Sequence, residues 1–233
     1  MFMNLKHSGE LKTIGIANGS LQRICSENNE SSSTSPCFCS FKHICAMIAK
    51  ELRDVVTIDL LGLFLQTDRK GEDTMTLRLT GMVELLLVEF DSKRWRKNLR
   101  SENGKHVLHV ACDKVTHGTL NAALLRHKKL ANAFGGWKLI MNPYDPCVWN
   151  LLVGNKQLTI MFHIDDLMMS HVDPEIVTEH VKKLDGVHGN KHPLSITRGK
   201  MHEYLGITIE FGLKRGVSIS QYDFMKKLWA SLS

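Results

Sequence analysis

Two adjacent carboxylates, Asp165 and Asp166, are the side chains of this sequence best suited to chemistry. Two like charges side by side repel, and each raises the pKa of the other unless a cation compensates them. A divalent metal ion is the usual cation at such a pair. Adjacent acids at a surface turn are also common as solvated residues, so the elements around the pair decide between these two interpretations.

Asp165 and Asp166 lie between two apolar runs within residues 158–171, which are typical of buried strands. Turn residues bound these runs, with Gly154-Asn155 on one side and Asp173-Pro174 on the other. The sequence therefore predicts a hairpin with the two acids at its tip. A third acid, Asp59, ends another predicted strand at residues 54–59. Three carboxylates at strand ends are candidate ligands for a metal site.

The rest of the chain predicts a mixture of strands and helices. Helices are predicted at residues 38–52, from about 118 to a stop at Gly135-Gly136, at 173–184 and at 222–232. Hairpins are predicted within 2–16, at 147–153 with 157–164, and at 202–211 with 216–220, besides a strand at 74–79. The Ser-rich residues 26–36 predict a flexible connector, and residues 91–105 a loop. Because strands and helices do not alternate regularly, the predicted fold class is α+β, an antiparallel sheet backed by helices.

Composition favours a polyanionic partner without requiring one. Thirty Lys and Arg against 24 Asp and Glu give a net charge of +6 and a pI near 9.0. The densest basic run is Lys93, Arg94, Arg96, Lys97 and Arg100. The six cysteines are scattered and lack the spacing of structural zinc sites, so we expect thiols in a reducing compartment. No apolar run reaches the ~18 residues of a membrane helix, so we expect a soluble protein with no membrane partner.

Six segments in order resemble the reverse transcriptase of copia-type retrotransposons. They lie at residues 11–23, 53–66, 118–125, 142–147, 162–171 and 198–206, and include Phe162-His-Ile-Asp-Asp-Leu167. The resemblance implies an RNA-directed DNA polymerase domain of a Pol polyprotein, in a partial or degenerate copy. It implies a right-hand polymerase palm over residues 54–233 and partial fingers over residues 1–53, with the thumb missing or vestigial. The expected partners are an RNA template, a DNA primer and deoxynucleoside triphosphates, and the RNase H and integrase segments of Pol are expected but absent from this chain.

The same resemblance assigns the site residues. It implies two Mg²⁺ ions (Mn²⁺ as a substitute) about 3.5 to 4 Å apart, held by Asp59, Asp165, Asp166 and the backbone carbonyl of Leu60. Five further residues are assigned to substrate binding: Lys12 to the triphosphate, Phe64 to the sugar, Gly118 and Asn121 to the incoming nucleotide and template, and Lys200, which precedes a turn at residues 204–206 that resembles the primer grip. Lysine suits phosphate capture because it is a compact point charge.

Several positions depart from the family pattern. Ile14 replaces a second fingers cation, Leu63 replaces a small Ala, and Asn121 replaces a Gln, while His117 and His127 replace aromatic residues. Losing a charge-assisted contact to the triphosphate costs roughly 1.5 to 3 kcal/mol. Two alternatives to an active polymerase therefore stay open. One is a catalytically inactive remnant that still binds nucleic acid, and the other is an unrelated metal-dependent phosphotransferase or nuclease that uses the same acids.

Overall fold

The computed structural model describes residues 2–5, 11–14, 16–18, 34–60, 75–116, 118–119, 122–188, 193–212 and 214–232. The chain forms two compact units. Unit 1 comprises Met1–Asn28 with Phe64–Ala122, and unit 2 comprises Asn29–Leu63 with Ala123–Ser233. Both units are thus discontinuous in sequence, and the division into fingers and palm after residue 53 stays a prediction.

Fourteen strands and six α-helices occur among the described residues. The strands are β1 (Phe2–Leu5), β2 (Leu11–Ile14), β3 (Asp54–Asp59), β4 (Met75–Thr80), β5 (Leu99–Glu102), β6 (Lys105–Cys112), β7 (Ile140–Asn142), β8 (Asp145–Val153), β9 (Lys156–His163), β10 (Asp166–His171), β11 (Ser195–Arg198), β12 (Met201–Tyr204), β13 (Ile207–Phe211) and β14 (Val217–Ser220). The helices are α1 (Phe38–Glu51), α2 (Met82–Phe90), α3 (Ser92–Trp95), α4 (Ala122–Gly136), α5 (Pro174–His188) and α6 (Tyr222–Leu232).

Unit 1 contains the hairpin β1-β2 and a three-stranded antiparallel sheet in the order β4-β6-β5. The predicted loop at residues 91–105 is wrong, because this segment forms α3, a 3₁₀ turn at Arg96–Asn98, β5 and the start of β6. Asp91 explains the local helix, since its side chain accepts a hydrogen bond from the Arg94 backbone N–H at 3.0 Å. The basic side chains that follow are exposed.

Unit 2 is built around a six-stranded antiparallel sheet in the order β11-β3-β10-β9-β8-β7. The central strand β3 carries Val55, Val56, Thr57 and Ile58, whose branched side chains favour extended backbone. Successive side chains of a strand point to opposite faces, so both faces of this apolar sheet need cover. The predicted hairpin β9-β10 is confirmed, with Asp166 as the first residue of β10.

A core lies on each face of this sheet. On one face, Leu130 and Phe134 of α4 and Leu184 of α5 pack with Ile58 and Phe162. On the other face, a second cluster joins α1 to the sheet of β12, β13 and β14. Consecutive residues of β3 point to opposite faces of the sheet, as strand geometry requires, so Val56 belongs to the first cluster and Val55 to the second. The prediction of antiparallel sheet backed by helices is confirmed.

The predicted hairpin of residues 202–211 with 216–220 needs correction. Its first arm is two strands, β12 and β13, because the chain turns at Leu205 and Gly206, which have φ values of 53° and 73°. Two consecutive positive φ angles are the geometry of a tight hairpin turn, for which glycine is suited. The result is a three-stranded sheet, β12-β13-β14. None of the helices described is long and apolar enough to cross a membrane.

Candidate active site

The backbone brings the three predicted acids to one end of the central sheet of unit 2. Asp59, the last residue of β3, is the direct cross-strand partner of Asp166, the first residue of β10. Asp165 occupies the turn before β10, and its backbone carbonyl accepts a hydrogen bond from the Leu60 N–H at 2.9 Å. The turn is closed by Ile164 in the left-handed region, with φ 50°. Residues 59–60 and 165–166 are therefore neighbours.

Asp59 and Asp166 form a carboxylate pair, which we call the acid pair. Direct partners on antiparallel strands have Cβ atoms about 4.5 to 5.5 Å apart and project to the same face. Burial and the charge of Asp59 raise the pKa of Asp166 above its usual value, and Glu203 adds to this effect, whereas His163 and Arg126 act against it. The acid pair thus carries like-charge repulsion that a nearby cation relieves.

Glu203 is an acid of this cleft that the sequence analysis missed. It lies on β12, and with Thr57, Ser195 and Tyr204 it lines the same cleft as Asp59 and Asp166. Its neighbours His202 and Tyr204 are buried while Glu203 is exposed, as expected for alternating residues of a strand. The alternation of the ring side chains His202 and Tyr204 with the charged Glu203 is the sequence signal that could have placed Glu203 on the opposite face of a strand from them.

Arg126 is the second residue that the sequence analysis missed, and it changes the chemistry of the site. Its side chain is fully buried and forms an ion pair with the carboxylate of Asp165. Burial lowers the pKa of Arg126 to about 9, while the charges of Asp59 and Asp166 act in the opposite direction. The guanidinium is therefore charged at neutral pH. A detectable signal was its spacing, because Arg126 shares one helix face with the buried Leu130 and Phe134.

The carboxylates fit a single cation better than a two-ion site. The acid pair offers two facing carboxylates, as a divalent ion requires. Asp165 does not offer its side chain in the same way, because that carboxylate is paired with Arg126. Within the described ranges, no group of three or more His, Cys, Asp or Glu side chains is arranged to hold a metal ion. In this conformation the chain therefore presents the acid pair without the third ligand.

The predicted substrate-binding residues belong to both units. Gly118 of unit 1 has φ +86°, and a Cβ there would overlap the backbone of Ala17, so this position requires glycine. Lys12 lies in β2 opposite Asn4, also in unit 1. Lys200 of unit 2 is exposed, and its carbonyl accepts a hydrogen bond from the Phe211 N–H at 2.8 Å. Their contacts with nucleotides stay predictions, and Phe64 and Asn121 lie outside the described residues.

Asp166→Asn is expected to raise the melting temperature at pH 7 by about 2 to 4 °C. A raised pKa means that folded Asp166 binds its proton more tightly than unfolded Asp166. Its contribution to stability is thus present at low pH and lost as the pH rises through the folded pKa. Asparagine removes that cost at pH 7, and the gain should shrink as the pH falls toward the ordinary aspartate value of 3.8. Thermal unfolding followed by circular dichroism at both pH values measures it.

The matched control for this prediction is Asp54→Asn, at the opposite end of the same strand β3. The Asp54 carboxylate accepts hydrogen bonds from the Arg198 Nε and Nη2 at 3.0 and 2.6 Å, so its charge is compensated. Asp54→Asn should leave the melting temperature unchanged or lower it. A gain equal to that of Asp166→Asn would contradict the repulsion assigned to the acid pair.

Comparisons with known proteins return structures and no sequence relatives. No protein-family model matches the chain, and no curated protein matches it. Three of the solved structures that overlap it do so at 8 to 13% sequence identity. The first is apo telomerase from Candida tropicalis, at 10% identity and a TM-score of 0.39, covering 86% of this chain and 43% of that chain. The second is a foamy viral protease-reverse transcriptase in complex with double-stranded DNA, at 13% identity and a TM-score of 0.44, covering 97% of this chain and 31% of that chain. The third is telomerase from Candida albicans in complex with a fragment of telomeric RNA, at 8% identity and a TM-score of 0.42, covering 86% of this chain and 38% of that chain.

The chain spans less than half the length of each of these three structures. The overlap is one of general architecture, and at TM-scores of 0.39 to 0.44 it carries no functional argument. Any function has to be argued from the residues of this chain.

Proposed function

We propose that this chain is the palm and partial fingers of a copia-type reverse transcriptase, an RNA-directed DNA polymerase. The observation that supports the proposal most strongly is the register of β3 and β10, which makes Asp59 and Asp166 direct partners and places Asp165 next to Leu60. Nucleotidyl transfer needs carboxylates from separate strands at one point, and these strands supply them.

The proposed resident ion is Mg²⁺, with Mn²⁺ as a substitute, held by Asp59 and Asp166. Bound there, it would activate the primer 3′-hydroxyl and neutralise charge that develops on the phosphate. The chain's own strands fix the position of the two carboxylates. Burial on both faces of β3 and β10 fixes the two backbones, so the acid pair is set before any ion binds. The hydroxyls of Thr57, Ser195 and Thr197 supply a polar lining to the cleft.

The proposed nucleic-acid partners are an RNA template and a DNA primer. Five exposed cations, which we call the basic segment, lie close together along unit 1 in α3, the 3₁₀ turn and β5: Lys93, Arg94, Arg96, Lys97 and Arg100. Arg94 also lies over the ring of Trp95, 4.7 Å from its centroid, which keeps an aromatic surface next to the charges. Exposed cations contact nucleic-acid phosphates whatever the base sequence, and these contacts release the counterions that surround the nucleic acid. We therefore expect nucleic-acid binding that weakens steeply with salt.

The second candidate, a nucleic-acid-binding remnant without polymerase activity, is favoured by one observation. Asp165 is paired with the buried Arg126, so one of the three acids is not available to an ion in this conformation. The basic segment would still bind nucleic acid in such a remnant. Binding assays alone therefore cannot separate the two candidates, and incorporation of nucleotides can.

Primer extension on an RNA template with Mg²⁺ and all four deoxynucleoside triphosphates tests the proposal. Asp59→Asn and Asp166→Asn should each lower the extension rate about a hundredfold or more, because each removes one negative charge from the ion site. Asp165→Asn tests the third acid in the same assay. Asp54→Asn is the matched control on β3 and should retain the parental rate.

The outcomes separate the candidate functions. Template binding by the parent without any extension, at every Mg²⁺ or Mn²⁺ concentration tried, would favour the remnant. Cleavage of nucleic acid without added nucleotides, lost in Asp166→Asn, would favour a metal-dependent nuclease. Equal extension by the parent and by the Asp59 and Asp166 variants would refute the assignment of the acid pair.

A further inference from the structure

We propose that Arg126 is a built-in cation of the acid centre, which competes with divalent metal ions, so that metal binding requires displacement of its guanidinium. The acid centre is here defined as Asp59, Asp165 and Asp166. The inference concerns the acids of the proposed function and in that sense rests on it, but its test measures cation binding and not polymerisation.

The guanidinium of Arg126 lies inside the protein. Arg126 has no exposed surface, and it is the largest of the fully buried side chains described. A charged group removed from water is retained only where opposite charge compensates it. Asp165 supplies this by direct contact, and Asp59 and Asp166 supply more through their field. The three acids are thus the reason that a cation can be buried here.

The guanidinium and a metal ion seek the same negative charge. A divalent ion on the acid pair would lie near a fixed positive charge, and like charges in a partly buried site repel strongly. Arg126 also withholds the Asp165 carboxylate by pairing with it. Metal binding and the Arg126 ion pair are therefore antagonistic.

Arg126 is anchored through its backbone. The helix α4 is held against the sheet by Leu130 and Phe134, which are 1% and 0% exposed and lie one and two turns beyond Arg126. The backbone at residue 126 is thus fixed, and only rotation of the long side chain can move the guanidinium. The Asp165 side chain is 34% exposed, so ions reach the acid centre from the solvent side while Arg126 approaches it from the core.

The lowered pKa of the neighbouring His188 reflects in part the positive charge of Arg126. Burial, with smaller contributions from the positive charges of Lys129 and Arg126, lowers the pKa of His188 to about 4. His188 is therefore neutral at pH 7 and does not compete for the acids. Arg126 is the positive charge in direct contact with the acid centre.

The test is Mn²⁺ binding to the full chain, followed by electron paramagnetic resonance of free Mn²⁺ and by calorimetry. Arg126→Met keeps an unbranched apolar side chain and removes the guanidinium with its charge. We expect Arg126→Met to bind one Mn²⁺ at least roughly tenfold more tightly than the parent. Adding Asp59→Asn to this variant should abolish the gain. Arg198→Met is the matched control, because Arg198 pairs with Asp54 at the opposite end of β3, and should leave Mn²⁺ affinity unchanged.

A second variant guards against loss of folding. Arg126→Met leaves the Asp165 carboxylate without its partner, whereas Arg126→Met with Asp165→Asn replaces both charged groups by neutral ones, a gentler change. This double variant retains the acid pair and should also bind Mn²⁺ more tightly than the parent. Circular dichroism confirms folding before each titration. Parental affinity in both variants, when folded, would overturn the inference.

The result also separates this inference from the proposed function. A parent that extends primers, together with an Arg126→Met variant that gains no Mn²⁺ affinity, overturns the inference alone. Variants that gain Mn²⁺ affinity but extend no primer on any RNA template overturn the polymerase proposal and leave the inference standing.

Discussion

Phe134→Ala is expected to lower the free energy of unfolding by about 3 to 5 kcal/mol. Phe134 is fully buried, and its ring centroid lies 5.6 Å from that of Trp137, 5.9 Å from Trp149 and 5.4 Å from Phe162. Truncation removes the apolar area of the ring and its aromatic contacts, and leaves a cavity among large rigid neighbours that cannot collapse fully. Urea denaturation followed by tryptophan fluorescence measures the loss.

The control for this prediction is Phe90→Ala, at the end of α2. The Phe90 side chain is 89% exposed, so the same truncation should change the free energy of unfolding by less than about 0.5 kcal/mol. The comparison has a functional consequence, because Phe134 anchors the helix that carries Arg126. Equal urea midpoints for the two variants would show that α4 is not held by this aromatic cluster.

Acidification from pH 7 to pH 4.5 is expected to destabilise the protein strongly through histidines that are fully or partly buried. Burial lowers the pKa of His127, His180, His188 and His202 below the usual value of 6.5, in the case of His188 to about 4. The unfolded chain therefore binds more protons than the folded chain in this range. Stability is fully present above pH 6.5 and is lost as the pH falls toward each folded pKa.

The size of this effect follows from the number of protons. Each histidine that is neutral when folded and charged when unfolded contributes a slope of about 1.4 kcal/mol per pH unit. For His188 alone, the window from 6.5 to about 4 amounts to roughly 3 kcal/mol. The raised pKa of Asp166 acts in the opposite direction over the same range, but it is one group against four.

Urea titrations at half-unit pH intervals measure this slope. His188→Gln should reduce the slope of stability against pH between pH 6.5 and about 4. The reduction should correspond to at most one bound proton, or about 1.4 kcal/mol per pH unit, because glutamine does not titrate. His43→Gln is the matched control, since His43 is exposed on α1, and should reproduce the parental profile. A stability that stays constant from pH 7 to pH 4.5 would contradict the burial assigned to these side chains.

Much of the fold was predictable because the relevant signals are local. Runs of branched and apolar residues set β3, β9 and β10, and turn residues set their ends. The helix α6 was predicted with its observed bounds, Tyr222–Leu232, and α5 with Asp173 at its start, whose carboxylate accepts a hydrogen bond from the Glu175 N–H at 2.9 Å. Two of the errors, at residues 91–105 and 202–211, arose where an Asp cap and a two-residue turn outweighed the broader pattern.

The sequence by itself determined which acids end strands, because strand length and turn chemistry are properties of neighbouring residues. Only the tertiary structure decided their partners. The pairing of β3 with β10 sets Asp59 opposite Asp166, and the packing of α4 brings Arg126 to Asp165. Both pairings depend on contacts between residues far apart in sequence. Charge compensation in a buried site selects the partner of each charged side chain, and the spacing of neighbouring residues carries no information about that partner.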